Sequence, residues 1–488
     1  MQFGGLEGRL RPVSAGELAI LYSLLAERDP EFNSVAPAVV FVKVQPDSAS
    51  LERLRRFGVA VHLVAPTALD RGAYLLGGAM HGSRVLADGP QFGAEVVALV
   101  ERARLRQWAA DVGAEPEFTA MHTPGSDSRG VVQFRLNGSE IVAKVGAAEA
   151  MRSEVRFASE VNALLAQAGR RGLFPQMRAL RVEGEQAVSL MEAGEPLPIG
   201  PLFADAARTT LADSSPDRLQ PHLDQLAAWY RLTAENRRPT VADYLYRERF
   251  HVLREQPAFV ATFRALFDGL ALADVLDAAV QLPGGLVVPG YVEAVAWLDK
   301  VAADLLPDYG SGVHGDIYAA NMLLRADGSP VLIDPRTVWE GRDRPDVGYG
   351  DPAFDLATLL HGVFPMAAIL HAVEIGATAE LFGEQGGHIR RDRGRLVLSS
   401  LRLPIVFPAA VRALEARMLR TLPRDEPRRR SRTRLYVGAA TSLAGWLKYE
   451  RSLRTPQAWL ATFGYVVWYL SQARNVWEER DRNGKQGS

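Results

Sequence analysis

Residues 313–360 have the sequence VHGDIYAANMLLRADGSPVLIDPRTVWEGRDRPDVGYGDPAFDLATLL, the most informative stretch of the chain. It contains three acidic motifs in a fixed order: His-Gly-Asp with an asparagine five residues after the aspartate, then Ile-Asp-Pro, then Gly-Asp-Pro followed by Asp-Leu-Ala. Phosphoryl transfer from a nucleotide needs a carboxylate that orients the attacking hydroxyl, and an amide oxygen and a second carboxylate that hold magnesium. The stretch contains side chains of all three kinds.

The bulk composition limits the classes of protein to consider. A chain of 488 residues predicts two or three domains. Its formal net charge of -1 argues against a nucleic-acid partner or an anionic membrane surface. The chain has no cysteine, which excludes disulfides, thiol catalysis and cysteine metal sites.

We expect no signal peptide and a cytoplasmic protein, because no basic region followed by an apolar run opens the sequence. The most apolar run, Ala458–Leu470, is too short to span a bilayer and predicts a buried helix.

The order of predicted strands and helices divides the chain into three parts. Residues 1–115 predict a small α/β domain with parallel strands at Val39–Val44 and Val59–Ala65. We expect this domain to be a cap, a homodimer contact or a docking site. Residues 116–195 are rich in strands and residues 196–488 are mainly helical, an order that fits two lobes.

Turn residues mark two strand pairs in the middle part. Asn137-Gly138 joins two alternating runs, a strong hairpin pattern. A second strand pair is expected around Gly184, and helical spacing covers Ala148–Ala168. The middle part is therefore predicted to be a sheet with one helix.

The first acidic motif predicts a catalytic loop. The spacing between Asp316 and Asn321 allows both side chains to face one site, where Asp316 could accept the proton of a hydroxyl and Asn321 could offer an oxygen to magnesium. Gly315 permits a strained loop, and the imidazole of His314 could hold it by hydrogen bonds. The alternative is that Asp316 caps a helix.

The later aspartates have different predicted roles. Asp334 follows a short apolar strand, where its carboxylate could bind magnesium or belong to an ordinary Asp-Pro turn. Asp351 precedes a proline and opens a helix by capping. Asp355 lies among apolar residues, where a carboxylate is costly unless it accepts several hydrogen bonds. We therefore expect Asp355 to brace the loop of Asp316.

Lys144 lies in the apolar strand Ile-Val-Ala-Lys-Val. Strand alternation favours solvent exposure, and the alternative is a contact with phosphates. Glu160 and Glu154, on the following helix, are the two candidate partners of Lys144.

Taken together, these motifs resemble the family of aminoglycoside and choline kinases over about residues 120–480. The resemblance implies an α+β, bilobal protein-kinase-like fold, here with an extra N-terminal small α/β domain. It implies ATP, with GTP as the alternative, and Mg²⁺ as cofactors. Asp316 is then the catalytic base, and Asn321 and Asp334 hold magnesium.

The resemblance also implies the remaining nucleotide contacts. Lys144 binds the phosphates, and Glu160 is preferred to Glu154 as its partner because the family usually leaves more than a dozen residues between them. Met191 and Ala193 match the segment whose backbone binds adenine. The loop at 125–130 lacks the full glycine pattern. Arg336, which follows Asp334-Pro335 as in a subgroup that includes sugar kinases, binds an anionic group or forms a surface salt bridge.

Two features favour a small hydroxylated acceptor, most of all a sugar or amino sugar. Gly315 stands where protein kinases carry arginine, and only sixteen residues, with no Ala-Pro-Glu, separate Asp334 from Asp351. A non-catalytic nucleotide-binding regulator and, less favoured, a protein kinase are the alternatives.

An arginine run lies near the end of the chain and consists of Arg424, Arg428, Arg429, Arg430, Arg432 and Arg434. We expect this run to be a solvated loop. If it faces the site instead, it would select an anionic acceptor.

Overall fold

The structure is a computed structural model of the chain. It divides into two compact units, the first formed by Met1–Ser159 with Pro175–Ala193 and the second by Glu160–Phe174 with Gly194–Ser488. The predicted boundary near residue 115 lies outside the described residues, and the three-part division stays a prediction. The described residues are 39–42, 60–63, 117–122, 128–136, 138–183, 186–197, 215–234, 238–239, 244–307, 309–336, 338–339, 342–343, 349–382, 390–392, 394–423 and 426–484.

A five-stranded antiparallel sheet is the main element of the first unit. Its strands, in spatial order, are β3 (Glu117–His122), β4 (Ser128–Leu136), β5 (Ser139–Ala147), β7 (Gln186–Glu192) and β6 (Met177–Glu183). Both predicted strand pairs are confirmed, because β4 pairs with β5 across Asn137-Gly138 and β6 pairs with β7 around Gly184. Gly138 has a φ of 79°, which glycine adopts without a steric penalty.

Two further strands of the first unit lie near its N-terminus. β1 (Val39–Val42) pairs in parallel with β2 (Ala60–Leu63), within the two strands predicted there. The helix predicted between them lies outside the described residues.

One helix, α1 (Ala148–Gln167), follows β5 directly. Its residues Ala148 and Met151 form a buried cluster with Ala187 of β7. A second buried cluster lies within the sheet and consists of Phe134, Ile141, Ala143 and Leu190. Burial of apolar side chains stabilises both clusters by about 25 cal/mol per Å² removed from water.

The second unit is mainly helical. At its centre, α10 (Arg428–Trp446) is buried over most of its length and packs on α7 (Pro352–His361) and α12 (Pro456–Gly484). A Cβ atom at Gly438 would approach Cβ of Ala357 within 2.7 Å, so glycine permits the close approach of α10 to α7. The other helices are α2 (Ser215–Ala234), α3 (Arg249–Glu255), α4 (Pro257–Leu266), α5 (Leu272–Asp277), α6 (Tyr291–Leu305), α8 (Ala367–Glu374), α9 (Ala409–Thr421) and α11 (Glu450–Leu453).

Short strands and single turns connect these helices. The strands are β8 (Glu195–Pro196), β9 (Arg238–Pro239), β10 (Val280–Gln281), β11 (Val287–Val288), β12 (Tyr309–Gly312), β13 (Met322–Leu324), β14 (Pro330–Leu332), β15 (Val338–Trp339), β16 (Arg342–Asp343), β17 (Tyr349–Gly350), β18 (Arg390–Asp392) and β19 (Arg395–Val397). The turns are π-helical at Tyr244–Glu248 and Gly362–Met366 and 3₁₀-helical at Pro283–Gly285, Ala319–Asn321 and Thr378–Leu381.

Two apolar segments of the second unit raise the question of a membrane span. Ala458–Leu470 lies in α12 and is buried, as predicted. Pro352–Glu374 is long and apolar enough to cross a bilayer, but 67% of its most apolar window is buried in the protein. It is also not one continuous helix, because Phe364 has φ -151° and ψ 113°. Length and composition are therefore weak evidence for a span here.

Candidate active site

The loop at 313–321 begins directly after β12 and contains Asp316. Gly315 has a φ of 87°, in the left-handed region that favours glycine. Asp316 is half-buried, whereas the side chains of His314 and Asn321 on either side of it are buried. The loop therefore leaves the predicted base partly accessible and buries the residues that fix its position.

The carboxylate of Asp355 holds the start of this loop. It accepts hydrogen bonds from the backbone N–H of His314 at 2.7 Å and of Gly315 at 2.5 Å. The hydroxyl of Tyr230 donates to it at 3.1 Å. Asp355 is fully buried, and three donors satisfy a charge that would otherwise be costly there. These are the contacts expected of a residue that braces the loop of Asp316.

The ring of His314 joins two parts of the loop region. Its Nε2 lies 2.7 Å from the carbonyl oxygen of Ile333, and its Nδ1 lies 3.2 Å from the backbone nitrogen of Asp316. A carbonyl can only accept and a backbone N–H can only donate, so these contacts require the neutral tautomer with the proton on Nε2. Phe174 stacks on the ring with centroids 5.8 Å apart.

Asn321 and Asp334 lie at the same end of the hairpin formed by β13 and β14. Nδ2 of Asn321 donates to the carbonyl of Asp316 at 3.0 Å, which leaves Oδ1 as the acceptor of the amide. The backbone N–H of Ile333 donates to the carbonyl of Asn321 at 3.1 Å. Asp334 has a φ of 57°, in the left-handed region that is uncommon for residues other than glycine, although aspartate enters it more readily than most. Such backbone conformations are typical of functional sites.

The side chains at this hairpin end offer oxygen atoms, the kind of ligand that magnesium binds. Among the described residues, no three His, Asp or Glu side chains lie close enough to hold a metal ion by themselves. Mg²⁺ does not require such a group, because it prefers oxygen ligands and completes its shell with water and substrate phosphates. The amide oxygen of Asn321 and the carboxylate of Asp334 would hold it.

Three residues of this region were not identified from the sequence. Burial raises the pKa of Tyr318 to about 12, with additional contributions from the charges of Asp316 and Asp334, so its phenol lies near both carboxylates. Thr358 accepts a bond from the backbone of Ile317 at 2.8 Å and donates to the carbonyl of Asp355 at 2.7 Å. Burial, and secondarily Asp355, raises the pKa of Tyr230 well above its usual value. Of these three residues, only Thr358 could have been identified from the sequence, because it lies one helical turn after Asp355.

The partner of Lys144 is Glu154 and not Glu160, the partner preferred from the sequence. Nζ of Lys144 lies 2.7 Å from Oε2 of Glu154, and both side chains are largely buried. The preferred partner, Glu160, is exposed on the same helix. Six residues are about 1.7 helical turns, so Glu154 and Glu160 point to different sides of α1. The expectation from strand alternation was also wrong, because Lys144 is only 6% exposed.

The other predicted nucleotide contacts have defined positions. Met191 lies inside β7, opposite Val142 on one side and Met177 on the other, and Ala193 lies just beyond the strand. The backbone N–H of Arg336 donates to the carbonyl of His314 at 2.9 Å. Their roles in binding adenine and an anionic group stay predictions. Gly125 lies outside the described residues.

The described part of the arginine run is helical and is not a solvated loop. Residues 428–434 form the beginning of α10. Arg434 is 3% exposed and forms ion pairs with Asp351 and Glu426. Arg432 pairs with the buried Glu415 at 2.7 Å. The expectation of a solvated loop was wrong because Asp351, Glu415 and Glu426 pair with two of these guanidinium groups, whereas the selection of an anionic acceptor stays a prediction. Arg424 lies outside the described residues.

Asp351 begins α7 in the predicted way. Its Oδ1 accepts a hydrogen bond from the backbone of Ala353 at 3.0 Å, and it is the N-cap residue of the helix. Its Oδ2 accepts from the hydroxyl of Tyr246 at 2.8 Å and from Nε of Arg434 at 2.6 Å. The cap is therefore fixed by three donors.

Comparison with known proteins gives structural similarities to small-molecule kinases. One is a "putative aminoglycoside phosphotransferase" from Ralstonia eutropha JMP134, with a TM-score of 0.40, 15% identity and coverage of 76% of this chain and 97% of that chain. Another is a "putative fructosamine-3-kinase" from Haemophilus somnus 129PT, with a TM-score of 0.34, 12% identity and coverage of 74% and 96%. No protein-family model and no curated protein matches the chain. At these values, neither similarity identifies a reaction or a substrate for this chain.

Proposed function

We propose that this protein is an ATP- and magnesium-dependent phosphotransferase that phosphorylates a hydroxyl of a small metabolite, most of all a sugar or amino sugar. The observation that carries the proposal is the fixed loop of Asp316. The carboxylate of Asp355 and the ring of His314 hold the backbone of this loop. The loop ends at Asn321, whose side chain binds the carbonyl of Asp316, and the hairpin that precedes Asp334 follows.

In the proposed reaction, the carboxylate of Asp316 orients the acceptor hydroxyl and takes its proton. The hydroxyl oxygen forms a bond to the γ-phosphorus of the nucleotide, and the bond between that phosphorus and the β,γ-bridging oxygen breaks, so that the nucleoside diphosphate leaves. Magnesium, when bound, neutralises charge on the phosphates. Asn321 and Asp334 would hold it, and Lys144, oriented by Glu154, would bind phosphate oxygens. Fixed positions and charges would supply most of the rate.

The proposed acceptor is small and need not be anionic. Gly315 and the short segment between Asp334 and Asp351 favour a metabolite over a protein. Two members of the arginine run, Arg432 and Arg434, already pair with carboxylates, which supports an acceptor that need not be anionic. We further propose that the protein acts in the cytoplasm and that residues 1–115 provide a dimer contact or docking site.

A metabolite screen with ATP or GTP and magnesium tests the proposal. Sugars, amino sugars, aminocyclitols, amino alcohols and nucleosides are incubated with the protein, and mass spectrometry detects an added phosphate. We expect one class to be phosphorylated. A shift in melting temperature on adding ATP, without product from any class, would support the regulator instead. Autophosphorylation on serine or threonine would support a protein kinase.

Substitution of the predicted base provides the second test. We expect Asp316→Asn to abolish turnover while nucleotide binding persists, since the amide cannot accept the proton. Asp327→Asn is the matched control, because Asp327 lies on an exposed turn and pairs with Arg171. Full activity of Asp316→Asn would contradict the assignment.

A further inference from the structure

Arg434 occupies an unusual position for a residue in an arginine-rich run. Its side chain is 4% exposed. Nε donates to Asp351 at 2.6 Å, and Nη1 donates to Oε2 of Glu426 at 2.8 Å and to the carbonyl of Leu305 at 3.2 Å. Nη2 donates to Oε1 of Glu426. Burial acts to lower the pKa of Arg434, but the charges of Asp351 and Glu426 outweigh it and raise that pKa above its ordinary value.

The partners of Arg434 lie on both sides of the catalytic loop in the chain. Leu305 is the last residue of α6, and β12 then leads into His314. Asp351 caps α7, and that helix carries Asp355 and Thr358, which bind the loop backbone. One guanidinium group therefore contacts the chain before the loop and the chain after it.

The beginning of α10 is also fixed to the end of α6. Nε of Arg430 donates to the carbonyl of Leu305 at 3.1 Å, and its Nη2 donates to the carbonyl of Leu306. Positive side chains suit the C-terminal end of α6 and not the N-terminal end of their own helix. The arginines thus bind the unsatisfied carbonyls of another helix.

We infer that Arg434 is a positioning residue of the catalytic loop, because it joins the end of α6 to the N-cap of α7 and so holds both flanks of the loop in one geometry. Arg434 touches no reacting atom, and it acts through Asp351 and α7 on Asp355. Only the kinetic consequence of this inference rests on the proposed function.

Hydrogen exchange of the loop amides tests the inference directly. In Arg434→Met, we expect the amides of His314, Gly315 and Ile317 to exchange at least tenfold faster than in the wild type. Arg432→Met is the matched control, since Arg432 lies on the same helix and pairs with the buried Glu415. Its loop amides should exchange at the wild-type rate. Equal exchange in the two variants would overturn the inference. If Arg434→Met does not fold, Arg434→Lys, which cannot reach all partners, replaces it.

A double variant separates positioning from the cost of a buried charge. Arg434→Met alone leaves both Asp351 and Glu426 without this guanidinium partner, and Asp351 is the more deeply buried of the two carboxylates. Adding Asp351→Asn removes that charge and retains a capping oxygen. We expect the double variant to regain melting temperature while the loop amides still exchange at least tenfold faster than in the wild type. Recovery of wild-type exchange would show that Arg434 only compensates the charge, and would overturn the inference.

Kinetics distinguish this inference from the proposed function. With an active wild type, Arg434→Met should reduce kcat at least tenfold with the KM for ATP changed less than twofold, whereas Arg432→Met should retain the wild-type kcat. An inactive wild type would refute the proposed function and leave the exchange test intact. Normal kcat and normal exchange in Arg434→Met would overturn the inference alone.

Discussion

Nδ1 of His314 accepts a hydrogen bond from the backbone N–H of Asp316 at 3.2 Å, so the imidazole fixes the backbone of the predicted base. His314→Phe keeps an aromatic ring against Phe174 and loses both polar contacts. An unpaired buried group costs about 1–3 kcal/mol, so we expect stability to fall by about 2 kcal/mol. We expect kcat to fall at least tenfold, measured as the initial rate on the acceptor found by the screen.

Substitution at a surface histidine controls for the exchange of an imidazole ring for a phenyl ring. His371 lies on α8, exposed to solvent. His371→Phe should change the free energy of unfolding by less than about 0.5 kcal/mol. Equal effects of the two substitutions would show that the contacts of the His314 ring are unimportant.

Asp355 accepts hydrogen bonds from two backbone N–H groups of the loop, so we expect even Asp355→Asn to lower the stability of the protein strongly. Asp355→Asn replaces one acceptor oxygen by an NH₂ group that faces a backbone N–H donor. We expect a loss of about 3 kcal/mol or more in the free energy of unfolding, measured by urea denaturation. Tyr230→Phe removes only the third donor and should cost about 1 kcal/mol. If both variants were equally stable, the bracing role of Asp355 would be wrong.

The Lys144–Glu154 ion pair predicts different effects of two glutamates on one helix. Glu154→Gln removes the carboxylate that lies 2.7 Å from the buried ammonium group, and we expect a loss of about 2–3 kcal/mol in stability. Nucleotide affinity should fall as well, measured by the shift of melting temperature with ATP and magnesium. Glu160→Gln is the control on the exposed side and should remain within about 0.5 kcal/mol of the wild type. The opposite ranking would restore Glu160 as the partner.

His361 predicts a pH dependence of stability. Burial lowers its pKa to about 4, opposed by the backbone bond to Ala357 and supported by the charge of Arg249. Its Nδ1 contacts the carbonyl of Ala357 at 3.2 Å, and its Nε2 accepts from Trp446 at 3.3 Å. A second proton on the ring would lie on Nε2 and face the N–H group of Trp446, which is itself a donor. The folded state therefore holds the neutral ring.

Between pH 6.5 and about 4, the unfolded chain binds a proton at His361 that the folded state excludes. Stability must therefore fall as pH falls through this window, by up to about 3 kcal/mol from this residue. Urea denaturation at pH 7, 6, 5 and 4 should show a shallower fall for His361→Gln than for the wild type. An unchanged slope in His361→Gln would contradict the prediction.

Local patterns predicted several parts of the fold and site. The Asn137-Gly138 turn predicted its hairpin, because a two-residue connection fixes the register of its strands. Asp351 and Asp355 were assigned a cap and a brace, because a short acidic side chain before Pro352 and among apolar residues has few other stable roles. These inferences depend on neighbours within a few residues.

The partners of charged side chains followed no such pattern. Glu154 and Glu160 occur on one helix, and sequence spacing alone did not select the nearer one. The arginine run resembled a solvated block, because its carboxylate partners at Glu415 and Asp351 lie elsewhere in the chain. Long-range charge pairing depends on how helices pack.

The sequence by itself determined which chemical groups are available and in what order along the chain, namely the carboxylates, amide and lysine that we predict to be the base, the magnesium ligands and the phosphate contact. Only the tertiary structure decided how they are held: the tautomer of His314, the choice of Glu154, and the use of Arg434 to join α6 to α7. The reason is physical. Secondary structure and turns follow from neighbouring residues, whereas buried hydrogen bonds and ion pairs require groups that only the packed fold brings within 3 Å or so of each other.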